Sequence, residues 1–374
     1  MLRSRTLLIF TLAISALPLL SYAQSPRHVG AVFVMTNSAD RNQIIAYRRN
    51  PDGSLSQSHT FSTGGRGSGG VTDPLASQGS LTISQDHSTL LAVNAGSGDI
   101  SVFRVFGDNL WLVDKVPCGG SEPVAVAQHG DLVYVVNAGG ASNVTGFRFG
   151  HQGELRQIPH STTFLSTGNS GASSLSFSPD GQTLLVTEKL TNNIDAFHVK
   201  TDGRLAPIVV NPSAGPGLFG VLFAPNGTAL ATETGPTGGQ NASAISSYAV
   251  HPDGTLVAIS ASVPTLGAAT CWHVVTPDGR FVYTSNAGSS TISGFAISAN
   301  GALAPIAGTI VATLPSGSAN LDAALSANGK FLYTLDSGTG TVSVFAINSD
   351  GTLNSLGEVG GIPAASGANG IAAL

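Results

Sequence analysis

Phe177-Ser-Pro-Asp-Gly-Gln-Thr-Leu-Leu-Val-Thr-Glu188, followed by Asn193-Ile-Asp-Ala-Phe197 and Thr201-Asp-Gly-Arg-Leu205, is the stretch from which the rest of the chain can be read. It holds a strand end, a Pro-Asp-Gly turn, an apolar strand closing on a polar residue, a short loop, a strand closing on an aromatic, and an Asp-Gly turn. The same order recurs with closing aromatics at Tyr47, Phe103, Phe147, Phe197, Tyr248, Phe295 and Phe345. They return about every 50 residues, and such a period with several short strands per unit marks a β-propeller. The expected fold is therefore all-β, a seven-bladed β-propeller of four-stranded blades, with residues 24–374 as one domain.

Composition agrees. Glycine supplies 47 of 374 residues and charged residues only 10%, which suits many short strands joined by tight turns. No window of the mature chain keeps a helical period. The net charge of −5 and the lack of any basic run argue against a nucleic-acid partner. Residues 1–23 read as a secretory signal peptide: Arg3 and Arg5, an apolar run from Leu7 to Leu20, then Ser21-Tyr22-Ala23 with small residues for cleavage. No later segment is apolar enough to span a bilayer, so a secreted or periplasmic monomer is expected. Cys118 and Cys271 fall at the starts of blades 3 and 6, too far apart across a ring to pair.

The ring closes on itself. The mature chain begins with a second strand, Ala31-Val-Phe-Val-Met-Thr-Asn37, and lacks an inner strand there. Ser366-Gly-Ala-Asn-Gly-Ile-Ala-Ala-Leu374 resembles Ser318-Ala-Asn-Leu-Asp-Ala-Ala-Leu325 of blade 7. The C-terminus is thus expected to supply the inner strand of blade 1 and remove the free sheet edges.

Asp-Gly pairs at Asp52, Asp180, Asp202, Asp253, Asp278 and Asp350, and Asn-Gly pairs at Asn226, Asn300 and Asn328, read as hairpins with positive φ at both positions. These turns share one face, which reads as scaffold. The other face carries the polar ends of the second strands (Asn37, Asn94, Asn137, Glu188, Glu233, Asn286 and Asp336) and the starts of the inner strands, where a propeller binds its ligands. Gly64-Gly-Arg-Gly-Ser-Gly-Gly70 reads as a flexible connection between blades 1 and 2, not a phosphate loop.

Copies such as Phe177-Ser-Pro-Asp-Gly and Val275-Thr-Pro-Asp-Gly-Arg-Phe-Val-Tyr-Thr-Ser-Asn286 resemble the seven-bladed lactonase family, which includes 6-phosphogluconolactonase and the fungal 3-carboxymuconate lactonising enzyme. The resemblance covers nearly all of the mature chain. It implies a His after Pro at one inner-strand start, an Arg-His pair at the next, and a Glu ending the following strand. Here Ser121-Glu-Pro-Val has no His after Pro123, and Gly171-Ala-Ser-Ser-Leu175 puts Ser174 where the His belongs. Only Glu188 matches.

Three residues are candidates for catalysis. Glu188 and Glu233 end equivalent strands of adjacent blades; facing carboxylates can divide acid and base roles. His273 can replace the missing histidine as base. Trp272, Asn137, Asn286, Glu122, Asp322 and Lys189 are candidates for binding substrate, with Trp272 as a stacking wall. Such a ring can also admit a channel Ca²⁺, but no local spacing matches a metal loop, so no cofactor is assigned. The expected function is an exported lactonase-like propeller hydrolysing or forming a small lactone at the channel mouth. The alternative is a non-catalytic propeller binding a small molecule, glycan or protein.

Overall fold

The computed structural model describes residues 30–374; the expected signal peptide lies outside them. The chain forms seven antiparallel sheets. Blade 4 shows the plan, with strands Ala172–Phe177, Thr183–Glu188, Asn193–His198 and Val209–Pro212 paired in sequence order. Blade 3 departs from it, because its outer edge is divided between Leu155–Gln157 and Thr163–Phe164. The seven closing aromatics are all buried, which explains why the period shows so clearly. Each is a large apolar filler that its blade packs against.

The inner strands Leu81–Ile83, Ser121–His129, Ala172–Phe177, Leu218–Phe223, Thr270–Val275 and Asn320–Leu325 each touch the next around the ring. Ile371–Ala373 fills the seventh place, between blades 7 and 2. It pairs antiparallel with Gly30–Met35, Ile371 opposite Val34 and Ala373 opposite Val32. The C-terminal clasp read from the sequence is therefore the closure of the ring.

The turns differ from expectation in one respect. In the nine turn pairs named above only the glycine has positive φ. The preceding side chain instead accepts the amide two residues on. Asp180 Oδ1 takes the Gln182 N–H at 3.0 Å and Asn226 Oδ1 the Thr228 N–H at 3.1 Å. That local bond holds Asp or Asn in the ordinary region and leaves the left-handed position to glycine.

Five inner strands carry a register shift near their start, between Pro123/Ala125, Ala172/Ser174, Leu218/Val221, Thr270/Trp272 and Asn320/Ala323. These bulges lie on the face opposite the turns. A bulge re-aims the side chains beside it, and it is here that the regular repeat gives way to individual residues.

Candidate active site

The polar residues that end the second strands do not form an open ring. Asn37, Asn94, Asn137, Glu188, Glu233, Asn286 and Asp336 are all at most 1% exposed. Several of them latch the incoming connection to their blade. Asn94 Oδ1 accepts Thr63 Oγ1 at 2.7 Å and Asn42 Nδ2 at 2.9 Å. Glu233 takes Gly215 N at 3.0 Å, Ser246 Oγ at 2.6 Å and Ser262 Oγ at 2.7 Å. Glu188 takes Ser166 N at 2.8 Å and the hydroxyls of Ser166 and Thr191. Glu188 and Glu233 share no hydrogen-bond partner; each is consumed by its own blade. Asn286 bonds Thr270, Thr291 and Ser293, and Asn137 Nδ2 donates to Cys118 O and Asn143 Oδ1 while its own Oδ1 stays unpartnered. Buried polar groups require this satisfaction.

Blade 4 alters the latch. Where Asn94, Asn286 and Asp336 meet Ser101, Ser293 and Ser343, Glu188 stands beside Asp195. Asp195 is fully buried and neither of its oxygens accepts a hydrogen bond. Burial, and then the Glu188 carboxyl, push its pKa up to about 8. Both causes favour the neutral carboxyl at Asp195. The sign follows from linkage: a carboxyl whose pKa is raised on folding stabilises fully below its unfolded value, and that stability is lost as pH rises through about 8. Asp195→Ser restores the pattern of the other blades. It is expected to raise the melting temperature by several degrees under alkaline conditions and little in acid, measured by calorimetry across pH.

The connection between blades 1 and 2 is the unexpected part of the site. Its glycine-rich half is not loose: Gly67 N and Gly69 N donate to Ser38 O and Asn37 O at 2.8 and 2.9 Å, and a Cβ on Gly67 would stand 2.2 Å from the Asn37 carbonyl. The next residues, 73–78, plug the channel mouth. Asp73 Oδ1 accepts Asn369 Nδ2 of blade 1 at 2.8 Å. Ala76 O accepts Lys189 Nζ of blade 4. Ser77 Oγ donates to Val124 O of blade 3 and Ser77 O accepts Trp272 Nε1 of blade 6, both at 2.8 Å. Gln78 bonds Ser173 O and His273 O.

Ionisable groups gather round this plug. Burial raises the Asp73 pKa to about 6, with Lys189 pulling against it. Burial lowers that of Lys189, while Asp73, Cys271 and Glu122 oppose the shift. Asp322 is pushed by burial to about 7, with Asp73 adding to the rise. Lys189 Nζ also lies 5.4 Å over the Phe219 ring, which meets Trp272 edge-on at 5.0 Å. Asp73, Ala76, Glu122 and Asp322 have φ of 39°, 46°, 54° and 74°. Left-handed backbone at non-glycine residues costs roughly 1–3 kcal/mol each and concentrates at functional sites. Asp73 Oδ1 holds the Ala76 amide at 3.0 Å as well as Asn369.

The structure thus places Lys189 and Asp322 around Asp73, with Asn369 and Phe219 beside them, while Glu122 bears on Lys189. Trp272 is 1% exposed; its indole supports the plug rather than offering a wall to a ligand. His273 is fully buried, its pKa held down at about 3 by burial, with the Leu230 backbone of blade 5 opposing. Ser173 and Ser174 bond the blade 5 backbone. Cys118 and Cys271 are free and buried. Among the described residues no three His, Cys, Asp or Glu side chains gather to hold a metal, and no helix is long and apolar enough to cross a membrane. A cavity of about 420 Å³ opens on the turn face, lined by Asp180, His198, Phe223, Asn226 and His251. It follows the groove between blades 4 and 5 and gathers fewer perturbed groups than the mouth.

Asp73 was not among the candidates read from the sequence, since it lies outside the repeat. The one signal was length: the interval from Tyr47 to Phe103 is the longest between closing aromatics, and surplus residues in a ring of equal blades must cross a face.

The comparisons agree with this architecture. The family described as "Lactonase, 7-bladed beta-propeller" matches residues 33–164, 124–274 and 221–368. A 6-phosphogluconolactonase of Enterobacter sp. (strain 638) is 27% identical over 289 residues, covering 74% of this chain and 80% of that protein. Among solved structures, the periplasmic gluconolactonase PpgL of Pseudomonas aeruginosa superposes with a TM-score of 0.69 at 18% identity, covering 92% of this chain and 99% of its own. A protein from Lactobacillus plantarum gives 0.70 at 18%, with the same coverage. The chain belongs to the seven-bladed β-propeller lactonase family.

Proposed function

We propose that the protein is an exported hydrolase of a small lactone, acting at the plugged channel mouth with Asp73 as general base and Lys189 as the cation facing the developing oxyanion. The observation that carries this reading is the meeting of Asp73 and Lys189 at a single residue, Ala76, which bonds both. Membership of the family and relatives named for 6-phosphogluconolactone and gluconolactone hydrolysis supply the substrate class. The signal-like residues 1–23 and the periplasmic relative support export.

The chemistry balances with these two groups. Asp73 takes a proton from water, and the hydroxide adds to the lactone carbonyl. The Lys189 ammonium stabilises the oxyanion. As the carbonyl re-forms, the ring C–O bond breaks, and the departing alkoxide takes the proton held by Asp73. Asp73 must be ionised, so activity rises with pH through about 6. It falls again where Lys189 deprotonates, below the usual lysine range because burial lowers its pKa. A pH–rate profile on γ- and δ-lactones tests this: a bell with its acid limb near 6 is expected. A second reading, binding without turnover, is favoured by Ser174 standing in place of the family histidine and by the burial of His273. Cooperative folding with no hydrolysis of any lactone would establish it.

A further inference from the structure

We infer that the ligand of this mouth is an uncharged lactone rather than a phosphorylated or carboxylated one. The inference rests on the lactone reading above and adds the charge of the substrate. Asp73 and Lys189 meet at Ala76, and the C-terminal segment joins two carboxyls there, Asn369 donating to Asp73 and the Ile371 amide to Asp322; with the exposed Glu122, whose charge bears on Lys189, the mouth sets three carboxyls against one ammonium. Lys189, which bonds the Ala76 carbonyl, is the one ammonium among these groups, and the hydrolytic reading engages it with the reacting carbonyl, which leaves no second cation to clamp a phosphate or carboxylate. The positions where an Arg-His pair would stand are Ser173 and Ser174, both buried and bonded to blade 5. Arg66 sits over the seam of blades 1 and 2, its carbonyl held by Gly96 and Ser97 amides, and its backbone makes no bond to residues 73–78. A phosphate entering here meets carboxylates in a partly buried site, where like charges repel more than in water. No bidentate guanidinium is present among these groups to offset that. The arrangement selects against anions by repulsion.

The test compares kcat/KM for glucono-δ-lactone and its 6-phosphate with the purified protein at pH ~8, above the values near 6 and 7 to which burial raises Asp73 and Asp322. The uncharged lactone is expected to be preferred by at least about tenfold at low salt. The preference should shrink as salt screens the carboxylates. Glu122→Lys changes an exposed residue and should narrow it by raising the rate on the phosphate ester. Equal or faster hydrolysis of the phosphate ester overturns the inference and leaves the lactonase reading standing. If neither is hydrolysed, the hydrolase reading fails, and calorimetry with gluconolactam and its 6-phosphate decides the charge. Tighter binding of the neutral lactam upholds the inference; tighter binding of the phosphate overturns it.

Discussion

Deleting residues 365–374 is expected to abolish the cooperative thermal transition and leave the protein aggregated. The segment is short, but its removal breaks the ring at several levels. Among the described residues Ile371–Ala373 is the only inner strand of blade 1, paired through Val32, Phe33 and Val34. The flanking backbone adds Met35 N to Gly370 O at 3.0 Å, Asn369 N to Met35 O at 3.1 Å and Leu374 N to Ala31 O at 2.8 Å. Asp322 Oδ2 of blade 7 accepts the Ile371 amide at 3.3 Å, so the clasp also joins the first and last blades. Ala368, Ile371, Ala372 and Ala373 are buried. A net hydrogen bond contributes about 1 kcal/mol and a buried Ile about 1.5–3 kcal/mol, so the sum rivals the 5–15 kcal/mol that typically separates folded from unfolded protein. What remains exposes Gly30–Met35, a strand buried along its whole length, as an unpaired apolar edge. Calorimetry and size-exclusion chromatography read the outcome. A monomer with a sharp transition would show that the ring closes without its clasp.

Much of this architecture is legible in the sequence because it repeats. Closing aromatics such as Phe197 and Phe295 fix the blades, and the likeness of Ser366–Leu374 to Ser318–Leu325 fixes the closure. The same repetition misleads about the site. One polar residue per blade reads as a ring facing a ligand, whereas Glu188 and Glu233 tie the incoming connection to their own blade, since a sequence cannot show which connection folds back over a strand end. His273 is the register case. The bulge between Thr270 and Trp272 breaks the alternation on which a sequence reading of this strand relies, and His273 is fully buried. Of the proposed site, Lys189, Glu122 and Asp322 can be singled out in the sequence because they lie in or beside the ends of repeated strands. Asp73 cannot, because it sits in a connection that occurs once.

Asp73→Asn is expected to lower kcat/KM on an uncharged lactone by about 10²–10⁴-fold, the usual range for removing a general base. The replacement keeps an Oδ1 to accept the Ala76 amide and Asn369 Nδ2, the two bonds Asp73 makes now. The plug therefore stays in place, and the melting temperature should hold or rise, because a buried carboxylate has been removed. Glu188→Gln should behave in the opposite way. It weakens a latch that accepts three hydrogens, so stability falls before turnover does. The most direct test is to measure initial rates of glucono-δ-lactone hydrolysis for the wild-type protein, Asp73→Asn and Glu188→Gln side by side, each with its melting temperature. Turnover lost in Asp73→Asn at unchanged stability, and retained in a less stable Glu188→Gln, is the predicted result. Turnover retained in Asp73→Asn but lost in a fully stable Glu188→Gln would return the active site to the latch of blade 4 and contradict the account.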